Sequence, residues 1–79
     1  MTVRVEYFAI LAERRGQRTE SVTGAPPTVG QLYQLLDLEY QFGIDRSLIR
    51  FAVNDRYVGA DQALGDGDRV VFIPPVSGG

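Results

Sequence analysis

The stretch Gly65-Asp66-Gly67-Asp68-Arg69-Val70-Val71-Phe72-Ile73-Pro74-Pro75 (65–75) decides the fold. Alternating Gly and Asp build a tight turn, since glycine supplies unusual backbone angles and aspartate bonds nearby amides. The run RVVFI (69–73) that follows is apolar on both faces, as in a central strand covered by helix on one side. Val70 and Phe72 then face inward, and Arg69, Val71 and Ile73 face outward. Pro74 and Pro75 stop the pairing because neither has an amide to donate. Val76-Ser77-Gly78-Gly79 has no element to join, so the chain divides into a domain over 1–75 and a flexible arm over 76–79.

A central strand needs neighbours, and the rest of the chain offers them. Residues 3–9 alternate, with Val3, Val5 and Tyr7 on one face and Arg4, Glu6 and Phe8 on the other. Residues 9–15 favour a short helix ended by Gly16, and 18–23 read as a polar edge strand. Thr28 and Gln31 have capping-box spacing at the start of the one long helix, whose stripe is Val29, Leu32, Leu35, Leu36 and Tyr40, with Gly43 closing it. Residues 48–53 form a strand with Ile49, Phe51 and Val53 inward, and Asn54-Asp55 turns it into a short strand around Tyr57-Val58. The order is an α+β arrangement: a small mixed sheet on one long helix, last strand beside first. That is the ubiquitin-like β-grasp.

Composition narrows the chemistry. The chain has 79 residues, no cysteine and no histidine, so it lacks a thiol nucleophile, a disulfide and the usual general base. Lysine is absent as well; the basic residues are all arginine, which stays protonated. Ser21, Ser47 and Ser77 have nothing to activate them. Asp61, Asp66 and Asp68 fall short of a calcium loop and read as turn residues, so no metal site is expected. The net charge of −2 argues against nucleic acid as a partner, and no run is long enough to span a membrane. The amino-terminal decad has no signal-peptide pattern, and the expected location is the cytoplasm. Arg14, Arg15 and Arg18 around Gly16 read as a solvated helix end.

The arm is where chemistry remains. Glycines allow close approach inside a narrow channel, and two prolines at the root lower the ordering cost on binding. A terminal carboxylate on Gly79 is a poor electrophile until activated, for example by adenylation. It can then accept sulfur or an amine. Phe8 is the other oddity, a large aromatic on a face otherwise charged.

The segments LGDGDRVVFIPPVSGG (64–79), VRVEYFAILAERRG (3–16) and AVNDRYV (52–58) resemble the small subunit of molybdopterin synthase over almost the whole chain. The FIPPVSGG ending is the specific part. The resemblance implies a protein that is no enzyme on its own and binds no cofactor. Its terminal glycine, Gly79 beside Gly78, is adenylated with ATP by an adenylyltransferase of the ubiquitin-activating type and becomes a thiocarboxylate. The arm then enters the large subunit, within a two-plus-two heterotetramer, and gives sulfur to precursor Z (cyclic pyranopterin monophosphate) in molybdenum-cofactor biosynthesis. It also implies a shared docking face on the outer side of the sheet, with Phe8, Val71 and Ile73, continued by Pro74, Pro75, Val76 and Ser77. The lack of cysteine and lysine suits an activated carboxylate, though genome base composition accounts for it better. Alternatives are a sulfur carrier of thiamin or cysteine biosynthesis, whose members generally lack the paired-proline ending, a ubiquitin-like protein modifier, and a plain interaction module with an inert tail.

Overall fold

The computed structural model describes residues 1–75. Strand β1 is Thr2–Tyr7, α1 is Ile10–Arg15, β2 is Thr19–Thr23 and α2 is Val29–Tyr40. A single 3-10 turn, Arg46–Leu48, leads to β3 (Arg50–Val53), β4 (Arg56–Val58) and β5 (Arg69–Ile73). The five strands order as β2-β1-β5-β3-β4. Strand β5 is central, parallel to β1 and antiparallel to β3. The expected β-grasp arrangement, with the last strand beside the first, is what the chain adopts.

The inner face of the sheet carries Val3, Val5 and Tyr7 of β1, Phe51 and Val53 of β3, and Val70 and Phe72 of β5, all in one core with α2. Helix α2 contributes Val29, Leu32, Tyr33 and Leu36, and the segment after it contributes Phe42. Tyr33 meets Phe72 edge-on with ring centroids 5.2 Å apart, and Phe51 meets Phe72 in the same way at 5.7 Å. Such pairs add about 0.5–1.5 kcal/mol each beyond the burial itself.

The local signals act as read. The Thr28 hydroxyl accepts from the Gln31 amide, and the Gln31 side chain accepts from the Thr28 amide at 3.2 Å, completing the capping box. At the start of α2 the Gly30 amide donates to the Ala60 carbonyl at 2.9 Å, a closeness that a Cβ would destroy by lying 2.8 Å from that oxygen. Asn54 and Asp55 both have positive φ, 51° and 70°, as the tight β3–β4 hairpin turn requires. Asn54 also ties that turn to β5, accepting from the Arg69 amide at 3.0 Å and donating to Asp68 at 2.9 Å.

Three expectations need correcting. Leu35 is 46% exposed, and the buried α2 position is Tyr33. The Tyr33 hydroxyl donates to the Ile44 carbonyl at 3.0 Å, so a partner supplied by the loop after the helix lets a polar-tipped ring go inside. Helix α2 ends at Tyr40 with Gln41 left-handed, two residues before Gly43. Arg14 and Arg15 close the last turn of α1 and Arg18 is exposed, as expected, but the first two are also bonded to protein groups rather than only solvated. Arg15 donates to both Glu20 carboxylate oxygens at 2.8 and 3.0 Å and lies over the Tyr40 ring at 3.9 Å, while Arg14 donates to the Phe42 carbonyl. They fasten α1 to β2 and to the end of α2.

Candidate docking face and arm root

The outer face of the sheet follows from strand alternation and register. Glu6, Val71, Ala52 and Tyr57 stand side by side across β1, β5, β3 and β4. One step further along β5, Ile73 lies opposite Arg50. Tyr7 pairs with Phe72 in the last step of the parallel ladder, and Phe8 and Ile73 follow that pair along their own segments. Phe8 follows the last residue of β1 and is 49% exposed. Ile73 is half-buried at the end of β5.

Two of the sequence-expected contact residues are covered. Val71 points outward but is only 8% exposed, flanked in the ladders by Glu6 and Ala52. Pro74 is buried and Pro75 is exposed. The expected roles of Val76, Ser77, Gly78 and Gly79 lie outside the described residues. The apolar surface open on this face is therefore Phe8 and Ile73 at the end of β5 nearest the arm, with Tyr57 on β4.

Tyr57 was missed by the sequence reading. It is 73% exposed and sits opposite Ala52. The signal that could have found it is the hairpin register: a two-residue turn at Asn54-Asp55 puts Val58 opposite Phe51 and hence Tyr57 on the outer face. Exposed Arg50 lies opposite Ile73, while exposed Arg4 and its register partner Arg69, which pairs with Asp55, stand at the other end of β5.

The titratable groups with displaced pKa values belong to the scaffold, away from this face. The Arg15 guanidinium, bonded to Glu20, holds that carboxyl below its usual range. Burial, and then the bond to Glu20, pushes the Tyr7 phenol up. Burial pushes Tyr33 up to about 12. Aspartates 66 and 68 serve the backbone: Asp66 accepts from the Thr2 amide at 2.8 Å and Asp68 from the Gly65 amide at 2.7 Å. Among the described residues no group of three or more His, Cys, Asp or Glu side chains could hold a metal ion. No helix among them is long and apolar enough to cross a membrane.

The arrangement can therefore offer an apolar surface bordered by Arg50, at the end of β5 where the described chain passes into Pro74 and Pro75. Comparison with known proteins agrees on the lineage. Residues 5–79 match the ThiS family. The chain is 34% identical to the molybdopterin synthase sulfur carrier subunit of Escherichia coli K12 over 80 residues, covering 98% of this chain and 99% of that protein. It is 39% identical over 83 residues to the human protein of the same name, covering 98% and 93%. Among solved structures, SAMP1 from Haloferax volcanii superposes with a TM-score of 0.80 at 28% identity, covering all of both chains. With matching sequence along its length and the five-stranded sheet on a helix, the chain belongs to the ThiS family of small ubiquitin-like β-grasp proteins related to the molybdopterin synthase sulfur carriers.

Proposed function

We propose that this protein is the sulfur-carrying small subunit of molybdopterin synthase, with the sulfur held as a thiocarboxylate on Gly79. The observation that carries the reading is the siting of the exposed Phe8–Ile73 patch at the end of β5, where the arm begins. A partner that grips the patch receives the arm with no intervening span. The family match running to residue 79 and the similarity to two sulfur carrier subunits support it.

The chemistry then divides between chains. The Gly79 carboxylate attacks the α-phosphorus of ATP in an adenylyltransferase, and pyrophosphate leaves. A sulfur nucleophile displaces AMP to give the thiocarboxylate. In the large subunit the thiocarboxylate sulfur bonds to a carbon of precursor Z in place of an oxygen substituent, and water cleaves the resulting thioester, leaving the sulfur on the substrate and Gly79 as a carboxylate. This chain has no histidine, cysteine or lysine to drive any of these steps, so its partners supply the acids and bases. Gly78 and Gly79 supply narrowness, and Phe8, Ile73 and Tyr57 supply the grip, with Val71 and Pro74 beneath it and Pro75, Val76 and Ser77 leading into the pocket.

Intact-mass measurement after incubation with ATP, the adenylyltransferase and a sulfur source tests this. One oxygen-for-sulfur exchange is expected, abolished by deleting Gly79; no gain in mass with a competent adenylyltransferase overturns the reading. The likeness to SAMP1, a small archaeal modifier protein of Haloferax volcanii, favours a second reading in which Gly79 is joined to lysines of other proteins. A ladder of conjugates on denaturing blots would support that reading instead.

A further inference from the structure

Ala9 holds a backbone conformation that alanine ordinarily avoids, with φ 52° and ψ −125°. The Leu11 amide donates to the Phe8 carbonyl at 3.1 Å, so residues 8–11 form a type II′ turn with Ala9 in its first central position. Glycine is the usual residue there, because a Cβ crowds the backbone. The other strained positions differ. Gln41, at φ 55° and ψ 58°, lies in the milder left-handed helical region, and Asn54 has side-chain bonds that use its conformation.

The turn starts α1, with the Ala9 carbonyl accepting from the Glu13 amide at 3.2 Å and Leu11 buried in the core, but none of this uses the Ala9 methyl. The Ala9 side chain is one methyl, it is exposed, and it is absent from the core and from the residues packed against it. A glycine would make the same turn without strain, and strained residues persist where function holds them. Ala9 directly follows Phe8, the most prominent apolar residue beside the arm root.

We infer that the Ala9 methyl is a docking contact, buried by the same apolar partner surface that covers Phe8. The inference rests on the proposed function in taking that partner to be the molybdopterin synthase large subunit. The strained turn serves to present a Cβ on the residue that follows Phe8, extending the contact past the end of β1 toward α1.

Thermal melts and titration calorimetry against the purified large subunit, on full-length wild type, Ala9→Gly and Phe8→Arg, test it. Ala9→Gly should melt higher, by about 4 °C, because the strain is relieved. It should bind the large subunit about fourfold more weakly, the loss expected for one buried methyl. The two changes have opposite signs, which a purely structural role for Ala9 would not produce. An Ala9→Gly affinity within twofold of wild type overturns the inference, as does a melting temperature no higher than wild type. If Phe8→Arg leaves affinity unchanged, the docking reading falls and this inference falls with it; if Phe8→Arg abolishes binding while Ala9→Gly does not weaken it, this inference alone fails.

Discussion

Strand β5 is apolar on both sides, yet its two faces do different work. Inward, Val70 and Phe72 are fully buried against α2, and Phe72 touches the rings of Tyr7, Tyr33 and Phe51. Outward, Val71 is hidden by its strand neighbours while Ile73, one residue past the last β1–β5 pair, stays half open. The inner face is a closed problem, solved within the chain. The outer face is left unfinished at one end, and that end is where β5 gives way to Pro74 and Pro75. A small domain needs its core for stability and can spare little apolar surface, so exposed apolar side chains gathered at one place point to a partner.

The comparison breaks if inner residues can be lost cheaply. Phe72→Ala should cost about 3–5 kcal/mol, most of the stability of a domain this size, and denaturant unfolding should show it largely unfolded. Phe8→Arg should do the reverse. Stability should stay within about 0.5 kcal/mol, while affinity for the large subunit drops at least about thirtyfold, measurable by titration calorimetry. Exposed apolar residues off this face supply a sharper contrast. Tyr57→Ala should weaken that binding about tenfold, whereas Leu38→Ala on the solvent side of α2, where Leu38 is 76% exposed, should leave it unchanged. Equal effects from the two would mean that the outer face of the sheet is not the docking side.

The smallest effect expected lies in the scaffold that aligns the two faces. Glu20 titrates below its usual value of 4.5 because Arg15 and Tyr7 bond to the carboxylate. A depressed folded-state pKa gives stability that is present above pH 4.5 and lost as pH falls through the folded value. Acid melts should therefore decline below that point, and Glu20→Gln should flatten the decline while lowering stability at neutral pH by about 1 kcal/mol. A raised folded-state pKa acts the other way. With Tyr33 at about 12 against an ordinary 10.0, its contribution is complete below pH 10 and falls as the unfolded chain ionises above it.

Much of this was legible beforehand, for reasons that are local. Gly16 with φ 81°, the Thr28–Gln31 box and the Asn54-Asp55 turn are set by the conformational limits of a few adjacent residues. The doubly apolar run 69–73 fixed the central strand. Tyr33 was missed because a tyrosine is read as outside until something accepts its hydroxyl proton, and the Ile44 carbonyl comes within reach only after the chain has turned back past Phe42. Leu35 was misplaced for the complementary reason. Spacings of three and four continue from Leu32 to either Leu35 or Leu36, and only the orientation of α2 on the sheet chooses between them.

The sequence by itself determined the element order, the central strand, the two prolines that end it and the absence of histidine, cysteine and lysine. These depend on backbone limits and on which side chains exist. The tertiary structure alone decided which outward residues stay open. Val71 and Ile73 share one strand and one face, and they differ because Val71 has strand neighbours on both sides while Ile73 stands where β1 has given way to Phe8 and the turn at Ala9. That is a property of register, which no single segment of the chain contains.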